Sequence, residues 1–222
     1  MFVLYFDSEY FRWAPLLIES IRRQELGEKI YAFGINLSKE QENSFDSRIY
    51  LCDFTLAQKQ PLLSYHIIER KAWYLNTSMG IFAEEQLFIM MDIDMLLLKP
   101  LTNLKATILT HKFDMAAVLA NPDKICGGFY VFRRSDLVCR MLKEWDEFLM
   151  DGDFYFDKDQ KSLASLVRKY MFEHGLKFLP LPRTYLDHLS RKESIVWSAH
   201  KSEFGNKDQR FKLYQKKLKG MR

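Results

Sequence analysis

Two aspartates, Asp92 and Asp94, interrupt an apolar run within residues 86–101. A carboxylate is a hard oxygen ligand, and two of them converging on one spot suit a divalent cation such as Mg²⁺ or Mn²⁺. The stretch just before them, Leu87–Met91, is apolar at every position, as suits a strand buried on both faces of a mostly parallel sheet. The acids then arrive where such a strand ends. In open α/β sheets, ligands bind beyond the carboxyl ends of the strands. In extended chain, residues two apart point to the same side, so the spacing predicts that both carboxylates face one spot. The competing reading is a polar turn closed by an Asx hydrogen bond. The apolar surroundings weigh against it, because charged residues are rarely buried without a partner. The next cation along the chain is Lys99.

Several elements must position these acids. Residues 2–6 read as a first buried strand. Asp7 or Ser8 then caps a helix over about 10–24, with Leu17, Ile18 and Ile21 inward and Pro15 in its first turns. Residues 29–36 and 49–54 read as strands, separated by a helix that opens on a capping box of Ser38 and Gln41. A long helix over about 64–79 turns Ile67, Ile68, Ala72 and Leu75 inward. It also carries Arg70 and Lys71, which read either as a solvated face or as phosphate contacts. Alternating strands and helices argue for a parallel sheet.

Beyond Pro100 the pattern continues with a short helix near 103–109 and a strand over 114–119. Cys126-Gly127-Gly128-Phe129 follows; paired glycines ahead of an aromatic strand mark close approach of a ligand or another backbone, or an ordinary bulge. Ser135 caps a helix over 136–150 whose inward set is Leu137, Met141, Trp145 and Phe148. Another helix opens at Phe156 and runs through about Tyr170, with Asp159 and Gln160 in the first turn, where acids suit the helix dipole. Short strands are expected at 176–179 and 194–198. His200 closely follows the second; a lone histidine is more often structural than a ligand. Residues 208–222 read as a short basic helix, either a solvated end or a contact for an anionic membrane surface.

The bulk properties narrow the choices. At 222 residues the chain suits one α/β domain with a small appendage, residues 1–207 and 208–222. No apolar stretch reaches membrane-spanning length, and the opening residues carry neither a basic segment nor a long apolar one, so no signal peptide is expected. Cys52, Cys126 and Cys139 are too scattered for a disulfide framework or a zinc site, so reduced thiols and a cytoplasmic location are expected. The net charge of +4 is concentrated after Lys201, which argues against nucleic acid as a partner of the body. Neither Gly-x-Gly-x-x-Gly nor a Walker A sequence occurs.

Together the motifs resemble a known group. Phe88-Ile89-Met90-Met91-Asp92-Ile93-Asp94, Lys99-Pro100-Leu101, Gly127-Gly128-Phe129, Asp159-Gln160 and His200 fall in the order found in GT-A glycosyltransferases of the glycogenin and lipopolysaccharide-galactosyltransferase type (family 8). The resemblance implies an α/β GT-A domain with a mostly parallel central sheet flanked by helices. It implies a metal-dependent transferase that moves a sugar from a UDP-sugar or similar donor to a saccharide, lipid-linked or protein acceptor. Asp92, Asp94 and His200 would bind Mn²⁺ or Mg²⁺. The loop from Tyr5 through Phe6 and Asp7 to Tyr10 would hold the base. Arg70 or Lys71 would approach the donor, Lys207 its diphosphate. Gly128, Asp159 and Gln160 would line the sugar side, and the Asp159-Gln160 pair implies retention of configuration. Two departures stand out. Cys126 or Gly127 occupies the place of the group's usual asparagine. Gly205 and Lys207 lie five and seven residues beyond His200 rather than at the group's spacing, which leaves Lys201 as a competitor of Lys207.

Two other classes stay open at this point. A nucleotidyltransferase also needs a metal beside paired acids, but residues 6–12 lack the glycine-rich loop that holds a triphosphate. A non-catalytic nucleotide-sugar-binding domain would use the acids structurally. An inverting transferase would need a carboxylate base, for which Asp157, Asp159 and Asp187 are the candidates.

Overall fold

Four strands supply the frame in the computed structural model: β1 (Phe2–Asp7), β2 (Ile30–Ile35), β3 (Ile49–Phe54) and β4 (Leu87–Met91). They run parallel in the order β3-β2-β1-β4. β1, β2 and β4 are apolar on both faces because helices cover both, as in other parallel sheets. Beyond β4 the direction changes. β4 pairs antiparallel with β7 (Lys124–Arg133), β7 antiparallel with β6 (Met115–Asn121), and β6 parallel with β8 (Phe178–Leu181). The seven-stranded sheet is thus mostly parallel, as expected, with a hairpin set into one half. A second small sheet pairs β5 (Leu96–Leu97) with β9 (Val196–Trp197). The structure describes residues 1–45, 49–54, 70–151, 157–189, 191–198 and 206–221, with backbone only at 52–54 and 207.

The chain winds outward from β1 to β3 and then crosses to β4 on the other side of β1. That reversal between β1 and β4 opens a crevice at the carboxyl ends of the two strands, where α/β sheets place their ligands. Asp92 and Asp94 directly follow β4, and Tyr5–Asp7 ends β1.

Strand alternation splits the core into two layers. One face carries Phe2, Leu4, Phe6, Ile89 and Met91, packed with α1 (Ala14–Gln24), α4 (Thr102–His111), the small sheet and the terminal helix α7 (Lys207–Lys219). The other carries Val3, Tyr5, Phe33, Phe88, Met90, Tyr130 and Phe132, packed with α3 (Lys71–Ile81), α5 (Asp136–Met150) and α6 (Lys158–His174). The capping box on Ser38 opens α2 (Lys39–Asn43) as expected. Ser135 accepts from the Val138 amide at 3.2 Å and starts α5.

The inward face of α5 differs from expectation. Val138, Met141, Leu142, Trp145 and Leu149 are buried, whereas Phe148 is 48% exposed. The buried set is a continuous i, i+3, i+4 stripe, and Leu137 and Phe148 lie along one edge of it. The expected start of the helix at Ser64, with Ile67 and Ile68, lies outside the described residues. The basic end of the chain forms α7, which packs Tyr214 and Leu218 into the body. Among the described residues, no helix is long and apolar enough to cross a membrane.

Candidate active site

Asp92 is the last residue to follow the register of β4. Its amide donates to the Gly128 carbonyl at 2.7 Å, continuing the ladder with β7. Parity with Phe88 and Met90 turns its carboxylate to the layer of α3 and α6. There the Tyr5 hydroxyl donates to Asp92 Oδ1, and Lys71 Nζ stands 3.4 Å from the same oxygen. Lys71 also donates to Asp159 Oδ2 at 3.0 Å. Its ammonium lies 5.9 and 5.8 Å from the ring centres of Tyr5 and Tyr130, within cation–π reach. Burial works to discharge this lysine, but Asp159 and then Asp92 outweigh it, so its pKa is raised and it stays charged. Burial and the neighbouring Asp92 charge push the Tyr5 hydroxyl up in turn, so it remains a donor.

Local sequence places each member. Lys71 begins α3, whose next apolar residues, Ala72, Tyr74 and Leu75, seat the helix on the sheet. Asp159 lies in the first turn of α6. Just before it, Lys158 is buried and donates to the carbonyls of Leu149 and Asp151 at 3.1 and 2.6 Å. It thereby closes the end of α5 and fixes where α6 starts. The Trp145 indole donates to Ser162 Oγ at 3.0 Å and ties the two helices one turn further on.

The paired glycines serve close approach. Gly128 has φ +98°, and a Cβ there would stand 2.8 Å from Asp92 Oδ2 and 2.1 Å from the Met95 side chain. Any other residue would push the acid aside. A Cβ at Gly127 would stand 3.0 Å from Gln160 Nε2. These glycines thus allow Asp92 and Gln160 to lie close against neighbouring positions of β7. Nearby, the Tyr130 hydroxyl is buried with no hydrogen-bond partner among the described residues, and burial raises its pKa.

Asp94 is placed differently. β4 ends at Met91 and the chain turns through Asp92–Met95, so the extended geometry behind the same-side expectation stops short of Asp94. Its partners come from the opposite layer. Arg210 Nη1 of α7 lies 3.6 Å from Asp94 Oδ2, and the Tyr214 hydroxyl donates to the Asp94 main-chain carbonyl. Asp94 keeps 31% of its side-chain surface open. Loss of surrounding solvent, then repulsion from Asp92, pushes its pKa up to about 6, with Arg210 opposing. Lys99, the cation next along the chain, is exposed and pairs with neither acid among the described residues.

The loop expected to hold the base divides. Tyr5 faces the acids and stacks on Tyr74 at 5.2 Å. Phe6 points to the opposite layer, buried against Phe11 and Phe45. Asp7 Oδ1 accepts from the Tyr10 amide at 2.8 Å and closes the turn. Arg70 caps α3 and is half-buried. His200, Lys201 and Gly205 lie outside the described residues, as does the side chain of Lys207 at the start of α7. Two residues beside the site were not singled out in the sequence: Arg210 and Tyr130. Arg210, Tyr214 and Leu218 recur every four residues, which is the stripe of a docked helix.

A divalent cation fits the donor set. Asp92 and Asp94 are 28% and 31% exposed, so hard carboxylate oxygens reach the crevice. Two carboxylates are what an Mg²⁺-like ion takes from protein when waters and phosphates complete its shell. Among the described residues no third acid, histidine or cysteine joins them.

The architecture, a seven-stranded mixed sheet flanked by helices, matches the GT-A fold of the solved structures described next. No family model matches the sequence, and no curated protein resembles it in sequence. Solved structures share the fold. The galactosyltransferase LgtC, crystallised with donor and acceptor sugar analogs, is 14% identical with a TM-score of 0.60, over 99% of this chain and 95% of that one. An active-site mutant of LgtC gives 0.58 at 14% identity, over 97% and 95%. Likeness at this identity is likeness of fold.

Proposed function

We propose that the chain is a metal-dependent glycosyltransferase that moves a sugar from a UDP-sugar to a hydroxyl acceptor with retention of configuration. The observation that carries this reading is the convergence of Asp92, Lys71, Asp159 and Gly128 at the β1–β4 switch point, with Asp94 two residues further on. The fold of a galactosyltransferase seen with donor and acceptor sugar analogs supports it. Asp92 and Asp94 would hold Mn²⁺ or Mg²⁺, which supplies Lewis-acid stabilisation of the departing diphosphate.

The chain's own groups then have distinct tasks. Lys71 fixes Asp159 and Asp92 relative to one another and adds positive charge to the donor side. Asp159 and Gln160 line the sugar position beside Gly127 and Gly128, and hold the anomeric carbon near the acceptor hydroxyl. The turn from Tyr5 to Tyr10 offers backbone and the Tyr10 ring to the base. Retention is favoured because each candidate inverting base is already committed. Asp157 pairs with Lys124 at 2.6 Å, Asp159 with Lys71, and Asp187 accepts from Ser194 and the Leu189 and Arg191 amides.

The acceptor is a saccharide in this reading, free or lipid-linked, with protein as the other class, and the location is cytoplasmic. Any membrane contact by α7 would be electrostatic, through exposed Lys212, Lys216 and Lys219. Incubation with Mn²⁺ and a panel of nucleotide sugars tests the proposal. Slow release of nucleoside diphosphate from one of them, abolished in Asp94→Asn with the fold intact, is expected. A folded chain that neither binds nor hydrolyses any of them overturns the reading.

A further inference from the structure

We propose that the Lys124–Asp157 ion pair positions the site for the reaction: it holds the turn that begins α6 and so fixes where Asp159 and Gln160 stand against the sugar. The inference rests on the donor reading above and adds two residues whose part is to place other groups.

Asp157 stands immediately before α6 in a left-handed backbone conformation, φ +69°. Residues with a Cβ rarely adopt that region, and aspartate tolerates it better than most. An aspartate at this place ordinarily caps the helix, its carboxylate accepting from an amide of the first turn. This one makes no such bond. Its main-chain carbonyl alone starts the helix, accepting from the Gln160 and Lys161 amides at 3.1 and 3.0 Å. The carboxylate is turned aside, and its Oδ2 accepts from Lys124 Nζ at 2.6 Å. Oδ1 is buried with no hydrogen-bond partner among the described residues. The lysine and aspartate side chains are 25% and 13% exposed, so their attraction is screened less than that of an open surface pair. The left-handed turn is therefore held from β7 and not from within the helix.

That strand is a fixed reference for the site. Lys124 lies at the turn of the β6–β7 hairpin, opposite Asn121. Further along α6, Arg168 donates to the Pro122 carbonyl at 2.9 Å and pairs with Asp123, so hairpin and helix are joined at two places. Past Lys124 the strand reaches Gly127, against Gln160, and Gly128, against Asp92. Three successive residues are thus tied to three neighbours: Asp157 to β7, Lys158 to carbonyls at the end of α5, and Asp159 to Lys71 of α3. Gln160 comes next, and its side chain makes no hydrogen bond among the described residues. Its reach toward the sugar is set by the backbone that carries it, and that backbone is pinned at Asp157.

A double-mutant cycle read in kcat tests the inference. The wild type, Asp157→Asn, Lys124→Met and their combination are assayed for hydrolysis, in Mn²⁺, of the UDP-sugar that the wild type turns over fastest. Calorimetry gives UDP affinity, hydrogen exchange is followed at the Gln160 and Lys161 amides, and unfolding midpoints check the fold. Asparagine keeps the shape and tolerates the left-handed backbone, so Asp157→Asn removes the ion pair and little else. Each single variant is expected to lose about tenfold in kcat, within the roughly hundredfold that a 1 Å misplacement can cost. UDP affinity should hold, and both amides should exchange faster. Asp157→Asn should cost nothing further once Lys124 is gone. Glu144→Gln breaks another ion pair of α6, Lys169–Glu144 at 2.5 Å, away from that turn, and should leave kcat unchanged. Losses that multiply in the combination, or UDP affinity that falls in step with kcat, overturn the inference and leave the donor reading standing. So does activity kept in Lys124→Met and lost in Asp157→Asn, which would make Asp157 a base and not a tie. A wild type that binds neither Mn²⁺ nor UDP overturns the donor reading, and this inference with it.

Discussion

Asp92 and Asp94 are two residues apart, yet they are held by opposite layers of the molecule. Asp92 meets Tyr5, Lys71 and, through Lys71, Asp159, all from the α3–α6 layer and all buried. Asp94 meets Arg210 and Tyr214 from the α7 layer, across a longer ion pair and a main-chain hydrogen bond. The difference lies in the cations: Lys71 bridges Asp92 and Asp159 at 3.4 and 3.0 Å, whereas Arg210 approaches Asp94 at 3.6 Å. The inner carboxylate is fixed by a cation that cannot leave without stranding Asp159. Asp94 faces a buried guanidinium at 3.6 Å, beyond hydrogen-bond length.

The contrast can be broken at its stiff end first. Lys71→Met strands Asp159, whose side chain is 4% exposed; removing one partner of such a pair costs about 3–5 kcal/mol. Urea denaturation should show that loss, and Lys71→Met combined with Asp159→Leu should recover most of it. A double variant as unstable as the single one would mean that Asp159 is not the group left stranded.

Beside the small sheet, Asp187 holds the segment around β9 together. Its amide donates to the Val196 carbonyl at 3.0 Å, and its carboxylate accepts from Ser194, Leu189 and Arg191. Burial alone would raise its pKa, but those donors lower it below the usual carboxylate value. A depressed native pKa stabilises the fold above the unfolded value near 3.8, and that stability is lost as pH falls through the native pKa. Asp187→Asn should therefore cost about 2 kcal/mol at neutral pH and flatten the stability–pH curve at its acid end. An unchanged acid limb would remove Asp187 from the account.

Smaller effects sharpen the comparison. Tyr214→Phe deletes the hydrogen bond to the Asp94 carbonyl and should cost about 1 kcal/mol. Arg210→Gln should cost less than Lys71→Met in the metal-free chain, because Arg210 meets Asp94 at 3.6 Å without a hydrogen bond whereas Lys71 donates to a buried acid. A loss as large as that of Lys71→Met would erase the distinction between the two sides. Tyr130→Phe removes a buried hydroxyl that has no partner among the described residues. Stability should change by no more than about 0.5 kcal/mol, since no hydrogen bond is lost.

What the sequence revealed was local. The apolar run of β4, the Ser135 cap of α5 and the Ser38–Gln41 box are signals carried within a few residues, and each element formed where they stand. Both acids stood out in the sequence, but only the side to which Asp92 turns was legible, because strand parity reaches it; for Asp94 the parity argument ends with the strand at Met91. Lys71 read equally as a solvated helix residue, since its burial depends on an acid 88 positions away. Arg210 was hidden for the same reason, although its spacing from Tyr214 and Leu218 already marked a docked face. The antiparallel β6–β7 pair carries no such local sign, because both parallel and antiparallel buried strands read as apolar runs.

The most direct test is a Mn²⁺ titration followed by electron paramagnetic resonance, in which protein-bound ion leaves the free-ion signal. The account predicts one Mn²⁺ per chain in the wild type, tightened by UDP, and lost in both Asp92→Asn and Asp94→Asn while their unfolding midpoints show intact folds. Equal Mn²⁺ binding by all three proteins would contradict it.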